Sequence, residues 1–208
     1  MLAKVTLQKT LVIQYLMQIW KYQKYIILID KIIKNKELPP KACWLTFDDG
    51  YKNNFTTAMP ILDKNNIPTT FYIAAGMIGQ KDLFWVDKIE ACIEKTSKKD
   101  IEIKLGKDHV TYNLEHHESR LHALYSIKKY CKLTSQTEVD HIIKDLIRAT
   151  EIKPSVEDDP NYETLNWEEV RAIDSKENYI IGGHSLKHEI FSNLDIDFMQ
   201  NTIKESVD

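Results

Sequence analysis

Several features are scarce in this 208-residue chain, and each scarcity narrows its class. Glycine and proline number 6 each, too few for a fibrous, linker-like or low-complexity sequence. The three cysteines, Cys43, Cys92 and Cys131, are an odd set without CxxC spacing. That excludes a disulfide framework and a thiolate zinc site, and they read as reduced core or surface residues. Neither sign of charge dominates: 28 basic against 31 acidic side chains give a net charge of -3. No chain-wide field therefore draws the protein to nucleic acid or anionic lipid. No apolar run reaches the ~20 residues of a membrane-spanning helix, so no transmembrane segment is expected. Residues 11–20 (LVIQYLMQIW) resemble a signal-peptide core, but Gln14 and Gln18 interrupt them and no small-residue cleavage site follows. A packed opening helix is the simpler reading, compatible with a cytoplasmic or an envelope-associated location.

What is present is an ordinary globular balance, 43% hydrophobic and 28% charged. One main domain is expected, since a chain of this length buries roughly 70% of the surface its unfolded form exposes. Residues 25–29 (YIILI) read as a short buried strand, and Asp30 as the cap of a brief helix running to Lys36 before Pro39-Pro40. A second strand, residues 42–47 (ACWLTF), runs directly into Asp48-Asp49-Gly50. Phe55, Ala58, Ile61 and Leu62 repeat at helical spacing, Asn65-Asn66 and Pro68 close that helix, and residues 69–73 (TTFYI) are again β-prone. This is a strand-helix-strand unit, which implies parallel strands joined by a right-handed crossover, with ligands bound at the strands' carboxyl ends.

From Phe84 the character changes. A helix carrying Val86, Ile89 and Ile93 precedes a hairpin, residues 101–105 and 109–114, around Gly106-Lys107-Asp108. Two amphipathic helices follow, the first with Leu121, Leu124, Tyr125 and Lys128, the second with Val139, Ile142, Ile143, Leu146 and Ile147 as its apolar stripe. The polar run 153–161 (KPSVEDDPN) marks the return to the main fold. The expected layout is residues 1–84 as the first part of the main domain, 85–162 as an inserted α+β subdomain and 163–208 as its continuation. Asn166 with Glu169 has the form of a helix capping box, with Val170 and Ile173 on the buried side. A strand at 179–181 then delivers Gly182-Gly183-His184-Ser185-Leu186-Lys187-His188.

Two constellations therefore follow strand ends. His184 and His188 are four residues apart, a spacing that on one helical turn sets both imidazoles on the same side and suits two ligands of one zinc-like ion. Alone the pair is weak: with 7 histidines, chance gives ~0.2 such pairs. A metal held by two imidazoles and one carboxylate keeps a position for water and lowers its pKa to about 7. Adjacent acids can then divide the work, one coordinating and the other taking the proton as water attacks a carbonyl. Asp48 and Asp49 offer that pair, although DDG by itself is also a common solvated turn. A rival cluster, Glu115, His116, His117, Glu118 and His122, fits helical geometry poorly, because adjacent side chains point about 100° apart. Trp85, Trp167 and the tyrosines are of a type that stacks on sugar faces, but large aromatics are more often core and receive no role here.

Thr46-Phe47-Asp48-Asp49-Gly50 resembles the TFDDG motif, and His184-Ser185-Leu186-Lys187-His188 the H-[ST]-x-x-H motif, of the polysaccharide deacetylases with the NodB homology domain (carbohydrate esterase family 4). The resemblance extends to Pro60-Ile61-Leu62, to residues 67–71 and to residues 165–170, and covers about residues 25–84 and 163–208. It implies an α/β fold, a distorted (β/α) barrel. It also implies that Asp48 is the catalytic base, that Asp49, His184 and His188 hold Zn2+ or another divalent transition metal, and that Ser185 braces the histidine loop. The implied reaction is hydrolysis of an N-acetyl group on an amino-sugar polysaccharide or oligosaccharide, metal-bound water attacking the acetamide. The implied partner is an N-acetylated glycan.

Family members continue past the second motif with an Arg- and Pro-containing loop, further strands and a late histidine that acts as general acid. Here the sequence ends at Asp208, where a stripe of Met199, Ile203 and Val207 is still running. The expectation is a partial chain with an open barrel, exposed apolar strand faces and poor solubility. It would bind metal without efficient turnover, since a missing general acid costs about 10² to 10⁴ in rate. Two other classes compete. An aspartate-nucleophile phosphatase needs a second acid two positions after the first, where Gly50 stands after Asp48. A non-catalytic glycan-binding protein with a vestigial metal site is the alternative function.

Overall fold

A computed structural model describes residues 21–22, 25–38 and 40–206. The opening helix expected at 11–20 and Val207 lie outside the described residues. The chain divides into two compact units, residues 1–73 with 165–182, and residues 74–164 with 183–208.

In the first unit, β1 (Lys21–Tyr22) pairs in parallel with β2 (Ala42–Cys43). Between them the expected strand at 25–29 and the helix to Lys36 are replaced by one helix, α1 (Tyr25–Ile33). A continuous apolar run does not distinguish helix from strand. Asp30 sits inside the helix rather than capping it and forms an i,i+4 ion pair with Lys34 that only helical spacing permits.

Strand β3 (Leu45–Phe47) pairs in parallel with β4 (Thr69–Ile73), Leu45 opposite Thr69 and Phe47 opposite Phe71. With β7 (Tyr179–Gly183) they make a three-stranded sheet in the order β3-β4-β7. The link from β3 to β4 is helical as expected, but it opens with a π-helical turn, Asn54–Ala58, before α2 (Met59–Lys64). Asn66, at φ +52°, closes that helix in the left-handed conformation asparagine tolerates, and the Ile67 N–H donates back to the Leu62 carbonyl at 3.0 Å.

Strand β4 is buried along most of its length, as a parallel strand covered on both faces should be. Phe71 stacks on Phe47 (centroids 5.5 Å apart) and meets Tyr179 edge-on at 5.4 Å. The capping box is present at α6 (Trp167–Asp174), whose Val170 and Ile173 are buried. The apolar burial of Leu62, Phe71, Leu165 and Ile173 contributes about 1.5–3 kcal/mol for each side chain.

In the second unit, α3 (Trp85–Lys95) precedes the antiparallel hairpin of β5 (Asp100–Leu105) and β6 (Asp108–Asn113). Ile101, Ile103 and Leu105 alternate inward, and Gly106 supplies the φ of +62° that the first position of a two-residue II′ turn requires. Helix α5 (Gln136–Thr150) buries the expected stripe of Val139, Ile142, Ile143 and Leu146.

Helix α4 (His117–Cys131) buries the expected face only in part, Leu124 packing against the core of this unit. Ala123, Ile127 and Cys131 are buried, while Leu121 is 36% and Tyr125 70% exposed. Arg120 lies on the same side as the buried residues, its guanidinium donating to the carbonyls of Ile93 and Thr96 at the end of α3. Residues 120, 123, 127 and 131 share one face, and with that face inward Leu121 and Tyr125 point outward.

In α7 (Ile196–Glu205) the buried residue is Thr202, while Ile203 is 43% exposed, so the expected stripe through Ile203 does not face the protein. The described architecture is mixed α/β, and its cysteines are free thiols. Among the described residues no helix is long and apolar enough to cross a membrane.

Candidate metal centre

Asp48 and Asp49 follow the carboxyl end of β3. The Gly50 N–H donates to the Asp48 carbonyl at 2.9 Å, and Asp49 between them has φ +73°. An i→i+2 bond across a residue at that φ is the rare, strained classic γ-turn. Gly50, itself at φ +87°, is buried, and its carbonyl accepts from the Leu165 N–H at 2.9 Å. The turn is thus pinned from behind, with Asp48 exposed and Asp49 half-buried.

His184 and His188 follow β7. Gly182 is required there, because a Cβ would meet the Tyr72 ring at 2.7 Å, whereas Gly183 has open space around it. The expected helical turn is absent: residues 184–188 form a loop in which Ser185 (φ +59°) and His188 (φ +64°) are left-handed. The two imidazoles nevertheless lie close, ring centroids 5.2 Å apart.

The loop is held by contacts far away in sequence. The Gly76 N–H donates to the Leu186 carbonyl at 2.8 Å, and a Cβ on Gly76 would meet that oxygen at 2.9 Å. Trp85 Nε1 donates to the His188 carbonyl at 3.2 Å, and the Phe84 ring meets His188 edge-on at 5.7 Å. Within the loop, Ser185 Oγ accepts from the Glu189 N–H at 3.0 Å, and Glu189 Oε2 from the Lys187 N–H at 2.7 Å. Sequence alone gives Trp85 no role, since nothing in it links the residue to a histidine 103 positions away.

Asp49, His184 and His188 each offer a ligand atom, and these atoms lie within 4.8 Å of one another. Among the described residues they are the one group of three or more such side chains that converges; Glu115, His116, His117, Glu118 and His122 bring no such set together. The donor chemistry fits a zinc-like ion, one carboxylate oxygen and two imidazole nitrogens being ligands it takes readily. Asp49 Oδ1 and His188 Nδ1 are shielded from solvent, which strengthens any charge interaction made there.

The chain matches the polysaccharide deacetylase family over residues 35–208 and belongs to that family, the one its two motifs resemble. Poly-beta-1,6-N-acetyl-D-glucosamine N-deacetylases from two Staphylococcus aureus strains are 31% and 30% identical to it over 115 residues. The match covers 54% of this chain and 35% of each relative, about a third of their length. Among solved structures, the BpsB deacetylase domain from Bordetella bronchiseptica is 16% identical, with a TM-score of 0.41, over 85% of this chain and 43% of its own. A de-N-acetylase from Aggregatibacter actinomycetemcomitans is 16% identical, with a TM-score of 0.36, over 80% of this chain and 38% of its own.

Proposed function

We propose that this chain is a metal-dependent hydrolase that removes N-acetyl groups from an amino-sugar polysaccharide, a polymer of N-acetylglucosamine being the substrate class. The observation that carries this reading is the convergence of ligand atoms from Asp49, His184 and His188 to within 4.8 Å. Family membership and the names of the relatives support the choice of reaction and of glycan. Asp49, His184 and His188 hold the ion, and zinc suits their donors. When bound, it supplies Lewis acidity, polarising an acetamide carbonyl and acidifying water. Exposed Asp48 takes a proton from the water that attacks the carbonyl carbon. The C–N bond then breaks as that proton passes to the leaving nitrogen, giving acetate and a free sugar amine. Ser185, bonded across its own loop, keeps the histidines in place. The three-stranded sheet is read as part of a distorted (β/α) barrel, with residues 85–162 as an insert between 1–84 and 163–208.

The test is metal content by plasma emission on purified wild type, Asp49→Asn and His184→Ala, with release of free amine from poly-β-1,6-N-acetylglucosamine measured on the same samples. About one zinc-like ion per chain is expected in the wild type, lost in both variants. Their activity should fall by more than about 100-fold. A folded wild type without metal, or amine release untouched by either substitution, would sink the reading.

A further inference from the structure

The two tryptophans passed over in the sequence part company in the structure. Trp85 is 6% exposed and bonded to the histidine loop, whereas Trp167 is 46% exposed. Its place in the chain is tightly set. Leu165, two residues earlier, is fully buried and donates its N–H to Gly50, the residue that completes the acid turn. Asn166 then closes the capping box with Glu169, two reciprocal bonds of 2.9 Å that fix where α6 begins. Trp167 is the first residue of that helix, so its backbone lies within about 7 Å of Leu165 along the chain.

The direction of α6 puts this end on the reactive side of the sheet. The helix has 8 residues and is about 12 Å long. The chain leaving it reaches Asn178, whose carbonyl accepts from the Thr69 N–H at the start of β4, at 3.0 Å. Helix α6 thus runs from the carboxyl end of the sheet, where Asp48 and Asp49 stand, back to the amino end. Tyr125 and Phe198 are also exposed, but they lie on α4 and α7 in the other compact unit. Trp167 combines an exposed indole with a backbone position held two residues earlier by the bond from Leu165 to Gly50.

We infer that Trp167 is a stacking platform for a pyranose ring of the glycan, setting a neighbouring sugar beside the acid turn. The axial C–H face of a pyranose is apolar while its hydroxyls point outward. An indole face covers the first and leaves the second to water, and Trp offers the largest such surface of any side chain. This rests on the deacetylase reading for the identity of the ligand. It adds a specificity-determining residue that takes no part in the chemistry.

The probe is a fluorescently labelled β-1,6-linked pentamer of N-acetylglucosamine, titrated with wild type, Trp167→Ala, Trp167→Leu and Trp167→Phe. Thermal melting and metal content are measured on each. Leucine keeps apolar bulk without an aromatic face, and phenylalanine keeps the face. Ala and Leu should both weaken binding about tenfold, and Phe should restore most of it, with metal content and melting unchanged. Equal affinity in wild type and Ala variant, recovery with Leu, or no pentamer binding by the wild type would overturn the platform. Absence of metal from the wild type would overturn the deacetylase reading, while a tenfold loss of pentamer affinity in the same Ala sample would still support the platform.

Discussion

Trp85→Phe should weaken metal binding without touching a ligand. The substitution removes the Nε1–H that donates to the His188 carbonyl at 3.2 Å but keeps an aromatic body beside the imidazole, whose centroid lies 6.4 Å from that of Trp85. Leaving a shielded carbonyl without its donor costs about 1–3 kcal/mol, the lower end applying because His188 is only half-buried. His188 is also at φ +64°, a conformation that costs a non-glycine residue about 1–3 kcal/mol and persists only while its surroundings enforce it. If about 1.4 kcal/mol of that restraint is lost from the competent loop, affinity for zinc falls about tenfold. Competition against a chromophoric chelator at fixed pH reads the dissociation constant, and thermal melting reads stability in parallel. A melting point lower by about 2–4 °C is expected for each kcal/mol lost. A zinc affinity within about twofold of wild type, with melting lowered as expected, would make Trp85 a core residue and no more.

Two further outcomes follow from the same units. Gly76→Ala places a Cβ 2.9 Å from both the carbonyl oxygen and Cγ of Leu186, so the histidine loop must shift. Stability should fall by about 1–3 kcal/mol in denaturant melts, with zinc affinity falling alongside, and a neutral effect on both would refute the close approach. At Asp63, burial raises the carboxyl, but hydrogen bonds from Lys176 and Tyr179 and the Lys176 charge outweigh it and hold the group below its usual value. A carboxylate depressed in the folded state stabilises above its unfolded value and loses that contribution as pH falls through the folded one. The advantage of wild type over Asp63→Asn should therefore be full near neutrality and shrink below about pH 4, and parallel stability curves for the two proteins between about pH 5 and pH 2 would refute it.

The parts of the fold legible in the sequence are those fixed by neighbours a few residues away. The capping box of Asn166 and Glu169, the turn at Gly106, the helix stop at Asn66 and the stripe of α5 each depend on spacing within one element. Asp48 and Asp49 at a strand end belong to the same group. What was not legible depends on distant partners. On α4 the buried stripe is Ala123, Ile127 and Cys131 at four-residue spacing, a face less conspicuous in the sequence than Leu121 and Tyr125, and Arg120 on that face reaches carbonyls 24 to 27 residues away. Residues 25–29 are an unbroken apolar run, so spacing within them does not separate helix from strand. At residues 184–188 the four-residue interval suggested a helical turn, but the bonds from Gly76 and Trp85 to Leu186 and His188 hold a loop there instead.

That loop and the acid turn share a feature that decides how the centre is best probed. Of the seven non-glycine residues with positive φ among those described, three are Asp49, Ser185 and His188. Each such conformation costs about 1–3 kcal/mol, less for Asp and His than for most side chains. The hydrogen bonds of Gly50, Gly76, Ser185 and Trp85 offset that cost locally. A substitution at Asp49 therefore changes two things, the charge offered to an ion and the fit of the residue to a left-handed turn. Alanine disturbs both, because its Cβ meets the left-handed penalty without a side chain that can bond locally to relieve it. Asparagine occupies that conformation as readily as aspartate and removes only the charge. Loss of metal from Asp49→Asn with melting behaviour intact would thus assign the effect to coordination, whereas loss from Asp49→Ala alone would be equally explained by a collapsed turn.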